Sequence, residues 1–161
     1  MAILGHAAGG LPMLDLVLAI AHHLAVFALV GLIFAEFVIL RPGLEPRRLG
    51  QLSALDAAYG LSAVAVLVAG VARVVWGAKG AEYYLSSHAF WGKMGALVII
   101  GILSIPPTLA IMKWKKAAKA DPAYVVPEAE IGRMRLFLHI ELFLLFLVPI
   151  FAAMMARRGL Y

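Results

Sequence analysis

The chain keeps ionisable side chains inside stretches that lipid should accept. The run AIAHHLAVFALVGLIFAEFVIL, residues 19–40, carries His22, His23 and Glu36. A neutral imidazole can ligate a metal or a haem iron, and an intramembrane carboxyl can carry a proton or a cation. Later apolar runs hold Asp56, Tyr59 and Arg73, then Trp91, Lys93 and Met94, then Arg135, His139 and Glu141. Such groups are costly in a bilayer and normally face a bundle interior or a cavity. Their positions are therefore the first clue to function.

The elements that position them follow from composition. Of 161 residues, 64% are hydrophobic and 14% charged, against about half and a quarter in a soluble domain. The mean hydropathy is +0.96. Four runs, at about 14–40, 53–76, 89–112 and 134–156, are each long enough to cross a hydrocarbon core of about 20 helical residues. The fold class expected is all-α: one transmembrane domain over residues 1–161, an antiparallel four-helix bundle. Pro42, Gly43 and Pro46 should stop the first helix, and Ser53 with Asp56 has capping-box spacing for the second. Pro106 and Pro107 should kink the third. The two prolines in KWKKAAKADPAYVVPEAEIGR argue against one continuous helix there. The N-terminal residues MAILGHAAGG lack a basic segment, so the first run is read as a retained helix rather than a signal peptide. With no cysteine, disulfides, thiolate metal sites and iron–sulfur clusters are excluded.

Charge sets the expected orientation. Arg41, Arg47 and Arg48 lie between spans one and two. Lys113, Lys115, Lys116, Lys119, Arg133 and Arg135 lie between or beside spans three and four. The opposite side has Lys79, Arg157 and Arg158. The formal net charge of +5 is thus a topology signal rather than a nucleic-acid surface. The positive-inside rule puts both basic loops in the cytoplasm and both termini in the periplasm of a bacterial inner membrane.

Helical geometry sorts the ionisable groups. His22 and Glu36 are fourteen residues apart and lie roughly 40° from each other, whereas His23 points roughly 140° from Glu36. His22 should face inward and His23 should flank it. Tyr59 and Arg73 share a face by the same spacing. His139 and Glu141 lie about 200° apart and cannot both look inward. Depth then divides the set in two. An outer group holds His22 or His23, Arg73 and Lys93, rimmed by Trp76, Trp91, Tyr83, Tyr84 and His88. An inner group holds Glu36, Asp56, Tyr59, His139 and Glu141.

An imidazole beneath an arginine and a lysine suits a b-type haem, with the cations neutralising its propionates. The plainer alternative is an aromatic belt with snorkelling Arg73 and Lys93. His88 sits roughly 12 Å nearer the surface than His22, and His139 roughly 16 Å deeper, so neither is an easy second axial ligand. Lys93 or Met94 is closer in depth. His22, His23 and His139 are the candidate metal ligands.

The early histidine, the Gly/Ala-rich second span and FWGKMGALVI in the third resemble the short membrane-type bacterial protoporphyrinogen oxidases. The chain is also similar to four-helix copper-resistance membrane proteins, and more closely to a bacterial family of predicted membrane proteins of unknown function. The oxidase resemblance implies haem b and functional roles for His22 or His23 and for Lys93 after Trp91. It also implies an arginine and an Asn-Glu-x-Pro motif in the last helix. Arg135 and Glu141 are the matching candidates, although RLFLHIEL has neither the asparagine nor the proline.

The expected function is a haem b membrane oxidoreductase. Its catalytic candidates are Lys93 and Glu141, and its cofactor-binding candidates are His22, His23, Arg73, Trp91 and Lys93. It would exchange electrons with quinol or oxidise a porphyrinogen. The alternatives are a proton- or metal-translocating protein, and a structural subunit that pairs in a homo-oligomer or larger complex. An alkaline phosphatase fused after Tyr161 should be active and a green-fluorescent fusion dark. The reverse pattern would invert both groups.

Overall fold

The computed structural model describes residues 7–77 and 80–157, with side chains from Met13 onward except Ala156. Lys79, Arg158 and Tyr161, on which the orientation argument partly rests, lie outside the described residues. The described elements are helices: α1 Ala7–Ile39, α2 Leu49–Trp76, α3 Gly80–Leu85, α4 His88–Ala120 and α5 Glu128–Arg157, with a 3-10 turn at Pro46–Arg48. Four of them are long and apolar enough to cross a membrane. The protein is a multi-pass, all-α membrane protein.

α2 opens earlier than its sequence suggests. Pro46 starts a 3-10 turn that runs directly into the helix, whose N-cap is Arg48 without a side-chain cap. The pre-set φ of proline nucleates the turn, so no hydroxyl cap is needed. Ser53 consequently lies inside α2 and caps nothing; its hydroxyl accepts a hydrogen bond from Lys115 Nζ at 3.1 Å. α4 continues through Pro106 and Pro107 to Ala120. The helix break falls between Pro122 and Pro127, where Asp121 Oδ1 accepts from the Ala123 N–H at 2.9 Å. The loop end is tied together by Trp114 Nε1 donating to Glu130 at 2.7 Å, beside Lys113 at 3.5 Å. α3 is a small element that the apolar periodicity does not announce.

α1 packs on α2 and α4 on α5, and the two hairpins meet along α2–α4 and α1–α5. Around the ring the order is α1–α2–α4–α5, which leaves α2 and α5 facing across a diagonal. Ile33, Leu52, Ile111, Trp114 and Leu138 are buried at the centre, whereas Phe27, Leu61 and Phe146 are more than 70% exposed. An apolar outside is what lipid requires. Because lipid tails are as apolar as the core, close packing and polar contacts must hold the helices together.

One close approach is between α4 and α5, where the Phe151 ring lies against Gly92. A Cβ there would meet it at 3.1–3.3 Å, while one at exposed Gly95 would meet nothing within 4 Å. Gly92→Leu should lower stability by about 1–3 kcal/mol through overpacking. Gly95→Leu should be near neutral when both are compared by thermal unfolding in one detergent.

Candidate functional site

The outer group surrounds a cavity of about 400 Å³ at the end of the bundle away from the basic loops. α1 contributes His22 and His23, and α2 contributes Val66, Gly70 and Arg73. α3 contributes Tyr83 and Tyr84, α4 contributes Phe90, Lys93 and Met94, and α5 contributes Met155. His22 is half-buried, and its Nδ1 is buried with no hydrogen-bond partner. Gly70 faces this ring: a Cβ there would lie at ordinary contact distance, 3.6 Å from His22 Cε1. His23 is exposed, and its Nδ1 donates to the Ala19 carbonyl at 2.6 Å. The inward and flanking roles expected from helical spacing are therefore observed.

Arg73 and Lys93 also line the cavity. Arg73 Nε is buried without a partner. Among the described residues, neither cation joins an ion pair. α2 ends at Trp76, within a turn of Arg73, and the Arg73 carbonyl accepts the last helical hydrogen bond from the Gly77 N–H at 3.0 Å. A Cβ at Gly77 would lie 2.2 Å from that carbonyl oxygen, so only glycine fits. α3 is pinned over the cavity by Tyr83, whose hydroxyl donates to the Met155 carbonyl at 2.9 Å. Trp91 Nε1 donates to the Leu85 carbonyl at 3.0 Å. Trp76, His88 and Trp91 are themselves exposed and lie outside the cavity lining. Leu67 and Val71 line the cavity yet are exposed, so it reaches the lipid-facing surface.

The inner group lies inside the bundle. Glu36, Asp56, Tyr59 and Glu141 are all buried, Glu141 completely. Tyr59 donates its hydroxyl to Glu141 Oε2 at 2.9 Å, and Thr108 donates to Asp56 Oδ1 at 2.7 Å. Both carboxyl oxygens of Glu36 and Oε1 of Glu141 have no partner. Arg135 does not neutralise them. Its Nη1 donates to the carbonyls of Phe37, at 3.0 Å, and Leu40, and its guanidinium lies 4.2 Å above the Phe37 ring. His139 leaves the group altogether: it is exposed, with Nδ1 donating to the Arg135 carbonyl at 2.9 Å and its ring edge-on to Phe37.

His22 and His23 therefore stand at one end of the bundle and His139 at the other. Among the described residues no three His, Asp or Glu side chains form a group that could hold a metal ion. Sequence reasoning missed Gly70, Thr108 and Met155. Thr108 could have been found as the polar residue after the two prolines of α4.

Residues 14–160 match the model of the predicted membrane protein family DUF2214. The chain belongs to that family. No curated protein and no solved structure matches it significantly. The DUF2214 protein thus joins two polar sites of opposite character in one short bundle.

Tyr59→Phe would leave both Glu141 oxygens without a donor. It should cost about 1–3 kcal/mol in thermal unfolding, whereas Glu141→Gln, which keeps an acceptor for Tyr59, should cost less.

Proposed function

We propose that the outer cavity holds haem b and that the protein exchanges electrons with a lipid-soluble carrier such as quinol in the bacterial inner membrane, with both termini periplasmic. The observation that supports this reading is a single constellation. An imidazole nitrogen without a partner and two cations without counter-ions share one largely apolar cavity. Its volume, about 400 Å³, lies within the range of roughly 300–1,000 Å³ common to small-molecule sites. The group it suits is flat, apolar and anionic at one edge.

Each residue then has a task. His22 would ligate the iron from its place beside Gly70 of α2. Arg73 and Lys93 bind carboxylates, the arginine as a planar fork and the lysine as a mobile point charge. Phe90 and Val66 exclude water, and the exposed Leu67 and Val71 offer an apolar carrier a way in from the bilayer. When bound, haem supplies one-electron chemistry whose potential depends on its axial ligands and on burial. Porphyrinogen, also flat and carboxylated, is the second substrate class that the same cations would recognise. Trp91 supports the site from outside by holding the end of α3.

The test is a visible spectrum of the detergent-purified protein, as isolated and after adding haem. A Soret band and a reduced α-band are expected, and His22→Ala should lower the pigment-to-protein ratio more than His23→Ala. Lys93→Arg should alter the spectrum or turnover, and Lys93→Met more so, while both proteins still insert and purify. Protein that stays colourless after haem addition, or equal pigment in all four variants, would overturn the reading.

A further inference from the structure

The inner group has no part in that reading, and its chemistry is different. Three carboxyls converge near the bundle axis, Glu36 from α1, Asp56 from α2 and Glu141 from α5, within electrostatic reach of one another. Among the described residues no cation forms an ion pair with them. Arg135 is committed to α1 carbonyls, Lys115 stops at Ser53, and His139 turns outward. Glu36 is 1% exposed, yet both of its oxygens lack a donor. It also lies in the last turn of α1, the negative end of the helix dipole, where a carboxylate is poorly tolerated. Proton uptake removes each of these costs.

Polar side chains lead towards Glu36 from the basic-loop end. Ser53, Asp56 and Tyr59 repeat every third residue along α2, a step of about 4.5 Å. Each has a polar partner. Exposed Lys115 meets Ser53, Thr108 meets Asp56 at 2.7 Å, and Tyr59 meets Glu141 at 2.9 Å. Towards the cavity the path is closed by buried Leu29, Ile33, Val66, Ile100 and Leu145. His22 lies roughly 21 Å from Glu36 along α1, beyond that layer.

We propose that Glu36, supported by Glu141 and Tyr59, is a buried proton-exchange site filled from the basic-loop end of the bundle along Ser53, Asp56 and Tyr59. The step is a proton transfer alone. A proton from water at the loop end reaches Asp56. Asp56 passes it to the Tyr59 oxygen as Tyr59 gives its own proton to Glu141. Glu141 then gives that proton to Glu36, so that Asp56, Tyr59 and Glu141 return to their starting states and Glu36 ends as the neutral acid. No electron moves. The site is independent of any ligand in the outer cavity.

The test is reaction with a hydrophobic carbodiimide, which attacks protonated carboxyls in apolar surroundings, on the purified protein in nanodiscs across a pH series. Peptide mass spectrometry should find the label on Glu36 several-fold above that on exposed Glu82, falling as pH rises. Sodium ions at fixed pH should give no protection. In infrared spectra, Glu36→Gln should remove a protonated-carboxyl band. Transfer to deuterium oxide should shift that band several-fold more slowly in Asp56→Asn than in wild type. Absence of label on Glu36, protection by sodium, or an unchanged deuteration rate in Asp56→Asn would each overturn the proposal. The wild-type labelling map requires no variant to fold.

Discussion

The hydrogen bond from Tyr59 to Glu141 crosses the diagonal of the bundle, between helices that sit opposite rather than adjacent. In water, burying Ile33, Trp114 and Leu138 would suffice to bring four helices together. In lipid it does not, because those side chains are as well solvated outside as inside. Specific association must then come from packing and from polar groups whose alternative is an unsatisfied position in hydrocarbon. Tyr59 and Glu141 fix the depth of α2 against α5, and Thr108 with Asp56 does the same for α4 against α2. A polar interior is part of what makes this bundle a bundle.

Much of that was legible in the sequence. Fourteen-residue spacing put His22 and Glu36 on one face, and the opposed directions of His139 and Glu141 reappear as an exposed imidazole and a buried carboxyl. Period and hydropathy suffice for such questions because a membrane helix has a regular geometry and a uniform surrounding. Helix ends were less legible. Ser53 looked like a cap, but a Pro-initiated turn several residues upstream had already started α2. α3 could not be read, since six residues carry too little periodicity, and its place depends on contacts made by Tyr83 and Trp91.

The candidate site was legible in its charged members and not in its walls. Lys93 and Arg73 stand out because lipid rejects them. Gly70 does not stand out among the many small residues of α2, although it faces the His22 ring. A cavity is a property of what is absent, and only tertiary packing shows where that falls. Trp91 illustrates the converse. Its position before Lys93 suggested contact with a ligand, yet the indole is 57% exposed and acts through Leu85.

Both sites hold charge-bearing groups that a bilayer disfavours. Glu36 lies in the C-terminal turn of α1, although Arg135, bound to the Leu40 carbonyl, offsets part of the negative potential there. Lys93 follows closely on the N-terminus of α4, and its Cα–Cβ bond leans back towards that positive end. Arg73 shares its cavity and adds a second positive charge, and no carboxylate is among the described residues that line it. The Lys93 side chain is half-buried and lines the cavity. Charged groups buried in a bilayer persist where something else rewards them. An anion at Lys93 and Arg73 and a proton at Glu36 are the simplest occupants that reverse each penalty.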